Sequence, residues 1–233
     1  MYKNLLVLSL CVISMLFVIS DSLACCVSDT GPLILLTFEG LKDGEVIGNF
    51  YSGGFGGNGS GPGPNFGVTF SNNAQAFIDI DAGGSGNFGG EPSPDTALSF
   101  LFGNSFTMNL TSGWKDSFSF YYSSPVYTGS VTVYDNLDGT GNVLGSIGLP
   151  LTPDTGAPDP NGRYSPLVPM AVTFNGVAKS VDFGGTAWYI VWDDIGFGSG
   201  SSGSSIPEPS TMLLLGSGLI GLAGYGRRKF FKK

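Results

Sequence analysis

Between two continuous apolar runs near its ends, this 233-residue chain places hydrophobic side chains mainly at every second position. Ser117-Phe118-Ser119-Phe120 alternates polar and aromatic residues, and the same alternation recurs in Ser130–Asp135 and Lys179–Phe183. Successive side chains of a strand point to opposite faces, so a period of two marks a strand with one face in a core. Leu33–Glu39, Val46–Tyr51, Phe66–Ser71, Ala76–Ile80, Ala97–Gly103, Ser105–Leu110 and Asn142–Ile147 read as further strands, and Ala187–Phe197 as the longest. Glycine-rich loops over Ser52–Asn65 and Gly83–Asp95 separate them. Asp138-Gly139 marks a tight turn that joins two of the runs as a hairpin. Many short strands with Gly- and Pro-rich connections predict an all-β, jelly-roll-like sandwich.

Composition agrees with that pattern. Glycine at 38 residues disfavours long helices, since each helix-interior glycine costs about 1 kcal/mol relative to alanine. Charged residues make up only 12% of the chain, with a formal net charge of −8. Between the terminal segments the basic residues are Lys42, Lys115, Arg163 and Lys179, against acidic residues spread throughout. Such a body repels phosphate backbones, which excludes nucleic acid as a partner. Histidine is absent, which removes Ser-His-Asp and Cys-His catalysis and His-ligated zinc. Cys25 and Cys26 are adjacent and offer no disulfide framework.

The ends carry a different kind of information. Lys3, the apolar run Leu5–Ile19 and the small residues of Ser22-Leu23-Ala24 form a secretory leader over residues 1–24, cleaved after Ala24. A lipoprotein signal ending at Cys25 or Cys26 is the alternative, without the usual residues ahead of either cysteine. The remaining chain divides into a sandwich domain (25–198), a Gly/Ser linker (199–205) and a tail (206–233). In the tail, Pro207-Glu208-Pro209 precedes an apolar stretch at 212–226 and the basic cluster Arg227-Arg228-Lys229. As a helix that stretch reaches ~22 Å, enough to enter the membrane with its basic end in the cytoplasm. The two prolines keep the Pro-Glu-Pro peptide extended and accessible on the outer face.

This order of proline-flanked glutamate, glycine-containing hydrophobic helix and terminal basic cluster resembles the PEP-CTERM family of sorting tails. The resemblance implies an exosortase partner, cleavage near Pro207–Pro209 and delivery to the surface or matrix of a Gram-negative bacterium that makes exopolysaccharide. A plain tail anchor is the alternative.

The body is similar to lectin-like or galactose-binding-like sandwiches, on Phe38-Glu39-Gly40, Gly67-Val68-Thr69-Phe70, the hairpin Val131–Leu144 and Trp192–Phe197. That resemblance implies a calcium ion held by an early and a late acid, here Glu39 and Asp194. Asp135–Gly141 has a faint likeness to a calcium loop, but Leu137 stands where such a loop needs an acid or amide. Asp79 and Asp81 alternate on one expected strand face and are a further pair of oxygen donors. Trp114, Trp188 and Trp192, with Tyr121, Tyr122 and Tyr127, are candidates for a sugar-stacking platform, although aromatics in alternating strands are commonly core. No spaced carboxylate pair stands out for glycoside hydrolysis. The expectation is a non-enzymatic exported surface protein, structural or adhesive and linked to exopolysaccharide, with a calcium-dependent carbohydrate-binding module as the alternative and an exported hydrolase as the remaining one.

Overall fold

The structure is a computed structural model that describes residues 33–156 and 162–198. The expected leader, the linker and the tail with Pro207, Glu208, Pro209, Arg227, Arg228 and Lys229 lie outside the described residues, as do Cys25 and Cys26.

Twelve strands form the described body: β1 (Ile34–Leu36), β2 (Glu45–Val46), β3 (Val68–Phe70), β4 (Ala74–Ile78), β5 (Thr96–Phe100), β6 (Ser105–Trp114), β7 (Ser117–Ser123), β8 (Gly129–Tyr134), β9 (Val143–Leu149), β10 (Val168–Thr173), β11 (Ala178–Gly184) and β12 (Val191–Phe197). They make a two-sheet antiparallel sandwich. One sheet runs β10-β7-β12-β5-β4-β2, with β1 paired to β12 as well; the other runs β3-β6-β11-β8-β9. β12 is flanked by β7 on one side and by β5 and β1 on the other.

The inner faces interdigitate through aromatic rings. Phe106 of β6 and Phe183 of β11 stack with centroids 4.6 Å apart, and Trp192 of β12 meets Phe106 edge-on at 5.2 Å from the opposite sheet. Phe118 and Phe120 point into this core as their alternation predicts. Stacked and edge-on rings of this kind each add roughly 0.5–1.5 kcal/mol beyond the area they bury.

A bulge keeps β12 in phase with that core. The register shifts between Asp193 and Gly196, and Asp194 takes a φ of 47°. The extra residue lets Trp192, Ile195 and Phe197 all enter the core, where strict alternation would have turned the last two outward. The predicted hairpin also forms. Asp138 and Gly139 have φ of 58° and 65°, Thr140 N donates to the Leu137 carbonyl at 3.2 Å, and β8 pairs with β9.

Three expectations need correction. Val46–Tyr51 is a strand only to Val46; Phe50 N then donates to Ile47 O in a turn that carries Phe50 and Tyr51 into the core. The strand expected over Ala76–Ile80 ends at Ile78, so Asp79 and Asp81 share no strand face, and Asp79 is buried while Asp81 is exposed. Ala187–Phe197 is a strand only from Val191, and β6, with ten residues, is the longest. β10 was not evident from the sequence. Its Pro169 cannot donate to a ladder, a residue tolerated here because β10 is an edge strand.

Candidate functional site

The outer face of the seven-stranded sheet is not simply solvated. Phe77 of β4, Ala97 of β5, Val191 of β12 and Tyr121 of β7 form a second apolar layer with Phe88, Tyr164 and Leu167. Two loops cover it by zipping together. Tyr164 N donates to Asn87 O at 3.0 Å, Arg163 N donates to the Asn87 side chain at 3.0 Å, and Phe88 and Tyr164 form an isolated parallel bridge. Gly86 makes this approach possible: a Cβ there would lie 2.3 Å from the Phe88 ring and 2.8 Å from the Ile78 carbonyl. β5 is consequently buried on both faces, which explains its continuous apolar reading.

Beside this cover lies a groove of about 560 Å³, within the range of small-ligand sites. Phe77, Phe88, Tyr164, Val191 and Trp188 supply its apolar surface, and Ser85 and Asn87 its exposed polar groups. Trp188 is 60% exposed. Its backbone is nonetheless fixed at both ends: Trp188 N donates to Phe100 O at 3.0 Å, and Tyr164 Oη donates to Trp188 O at 2.9 Å. Its φ is 74°, a left-handed conformation that disfavours any side chain by about 1–2 kcal/mol. A tryptophan held in that conformation and mostly outside the core contributes little to folding. Residues kept in such conformations cluster at ligand-contacting positions.

The aromatic platform expected from sequence therefore separates. Trp114, Trp192 and Tyr122 are core residues; Tyr121 is half-buried under the loops; Tyr127 is exposed and packs edge-on against Tyr189. Trp188 alone of the six lines the groove.

The expected calcium pair occupies a separate acidic region where β12 bulges. Glu39 accepts hydrogen bonds from Asp95 N at 3.0 Å and from Thr96 N and Oγ1 at 2.8 and 3.1 Å. Asp193, which sequence reasoning did not single out, is fully buried and accepts from Ser93 N and Oγ and from Asp194 N. Burial pushes its carboxyl up to about 8, with the Asp194 charge adding to the effect and the Ser93 hydrogen bonds opposing it. Asp194 is also raised, by burial first and then by the Glu39 carboxylate, against a hydrogen bond from Ser93. Its Oδ1 is buried with no hydrogen-bond partner. The Glu39 carboxylate is thus close enough to raise the Asp194 carboxyl, and one Asp194 oxygen lacks a donor. A cation there would relieve their repulsion and satisfy that oxygen, and all-oxygen donors suit calcium. Among the described residues, no three metal-ligating acids or thiols converge on one point.

The other acidic candidates serve the fold. Asp135 accepts from Asn142 N and Nδ2, both at 2.7 Å, and so closes the β8–β9 hairpin. Asp138 and Asn109 exchange two hydrogen bonds that tie the hairpin tip to β6.

Solved structures of similar shape include the K2 cleaved adhesin domain of Lys-gingipain, at 17% identity and a TM-score of 0.40, covering 71% of this chain and 99% of that one. A variant of a family 29 carbohydrate-binding module gives 12% identity and a TM-score of 0.37, over 76% of this chain and 100% of that one. A carbohydrate-binding module from Cellvibrio mixtus lichenase 5A in complex with cellotriose gives 15% and 0.31, over 54% and 86%. These values are too low to transfer any site. No curated protein matches the chain. Residues 205–229 match the PEP-CTERM protein-sorting motif, and the matched span contains Pro207, Glu208, Pro209 and the Arg227-Arg228-Lys229 cluster. The chain therefore carries a PEP-CTERM sorting motif behind a β-sandwich body, which implies export and exosortase-mediated sorting to the cell surface.

Proposed function

We propose that the protein is a non-enzymatic adhesive component of the cell surface or extracellular matrix, and that the groove beside Trp188 engages extracellular polysaccharide. Exosortase acts near Pro207–Pro209 while the apolar segment 212–226 lies in the membrane and the basic cluster stays in the cytoplasm. Trp188 carries the binding reading. An exposed indole, backbone-fixed in a left-handed conformation at the mouth of an aromatic groove, is suited to stack on a sugar ring. Deleting residues 206–233 tests the sorting half: the product is expected in the medium or periplasm, and unchanged surface retention would refute it. Polysaccharide binding by the full chain tests the other half.

The partnerless Oδ1 of Asp194 supports a second, compatible reading, in which calcium held by Glu39 and Asp194 secures the β12 bulge. Calcium is then expected to raise the thermal midpoint, with chelator reversing the gain and Asp194→Asn abolishing it. An unchanged midpoint with and without calcium removes the ion from the account.

A further inference from the structure

We infer that the polysaccharide taken by the Trp188 groove is uncharged, a polymer of neutral pyranoses rather than of uronic or otherwise anionic sugars. The inference rests on the polysaccharide reading above and adds a selectivity that reading does not contain.

Three observations lead to it. Among the described residues, the groove lining contains no Asp, Glu, Lys or Arg. Its surface is aromatic and aliphatic, with Ser85 and Asn87 exposed at hand for hydroxyl groups; the Asn87 side-chain oxygen already accepts from Arg163 N. Apolar walls with a few neutral polar groups match the C–H faces and hydroxyl rim of a pyranose, whereas a carboxylate placed there would be desolvated without a counter-charge.

The second observation concerns the cations. Of the four basic residues in the described body, Arg163 pairs with Asp154 at 3.8 Å, Lys42 Nζ donates to Asn58 O at 2.8 Å, and Lys179 faces the Asp135 carboxylate. Lys115 lies in the turn between β6 and β7, outside the groove lining. Arg163 is the one adjacent to the groove, and the half-exposed Asp154 carboxylate offsets part of its charge.

The third is the field around the site. The sandwich carries a large excess of Asp and Glu over Lys and Arg, so a polyanion is repelled before it reaches the groove, while a neutral chain is unaffected.

The test uses the full chain in a polyoxyethylene detergent, which avoids competition from sugar-based detergents. Biolayer interferometry on immobilised glucomannan, β-1,3-glucan and galactan, and on alginate and polygalacturonate, is run at low and high salt. At least one uncharged polymer is expected to bind with salt-independent affinity and both uronates to fail. Trp188→Ala should weaken binding by about tenfold or more, and Trp188→Phe should restore most of it. Because Trp188 is exposed, an unchanged thermal midpoint for Trp188→Ala identifies the loss as one of contact. Binding confined to the uronates, or uncharged-polymer binding indifferent to Trp188→Ala, overturns the inference and leaves sorting and surface display standing. Binding to none of the five polymers at either salt removes the polysaccharide reading itself.

Discussion

Ile34, in the first strand, lies directly opposite Phe197, in the last. The two ends of the described body therefore meet in one antiparallel ladder. Trp188 precedes β12, whose seven residues extend about 20 Å towards the C-terminal end of the described body. The groove and the C-terminal end of the described body sit at opposite ends of that strand.

Because β12 joins β7 to β5 and β1, the seven-stranded sheet has no continuity without it. A chain that stops at Tyr189 is expected to remain unfolded. Limited proteolysis would show rapid loss of all fragments, in contrast to a protected body in the full chain.

The core and the groove should respond oppositely to truncation. Phe106→Ala removes a ring stacked on Phe183 and edge-on to Trp192, and should cost about 3–5 kcal/mol in urea unfolding. Trp188→Gly relieves a left-handed side chain and should leave stability unchanged or raise it by about 1 kcal/mol. Comparable losses for the two would place Trp188 in the core after all.

Glu45 organises the glycine-rich loop. Its carboxylate accepts hydrogen bonds from the amides of Lys42 at 2.8 Å, Asn58 at 2.6 Å and Ser60 at 3.1 Å. Burial raises its pKa, but these hydrogen bonds and one from the Ser60 side chain outweigh that, and the net shift is downward. A lowered folded-state pKa stabilises the protein above the unfolded value of 4.5, and this is lost as pH falls through the folded value. Glu45→Gln should cost about 1–3 kcal/mol at neutral pH and flatten the acid limb of the stability curve.

Asp193 has the opposite sign. Its carboxyl is raised from 3.8 to about 8, so the folded state holds a proton that the unfolded chain has released. Stability should decline as pH rises between those values. Thermal midpoints measured across this window should fall for the native chain and stay level for Asp193→Asn; parallel curves would show that Asp193 ionises normally.

The strand pattern was legible wherever alternation was sharp, as at Phe118 and Phe120, and the Asp138-Gly139 turn followed from its residue types alone. Legibility failed where long-range pairing decides local form. Phe50 and Tyr51 look like strand residues, yet they reach the core through a turn because the glycine-rich loop folds back onto Glu45. Glu39 and Asp194 were paired only through the resemblance to lectin-like sandwiches. The burial of Asp193 was not legible, since it depends on Ser93, one hundred residues away, arriving at the bulge. Trp188 could be named as a candidate but not separated from Trp114 and Trp192, because only the left-handed backbone turns it outward.

The course of β12 also determines how the molecule carries tension. On the proposed function, a load between a polymer at Trp188 and the C-terminal end of the described body would run lengthwise along this one strand. A load between two points of one extended strand is borne by its covalent backbone, so the ladders to β7, β5 and β1 would hold its place without being made to slide or peel. Binding site and C-terminal exit would then be joined by covalent bonds alone, and the load would bypass the rest of the fold.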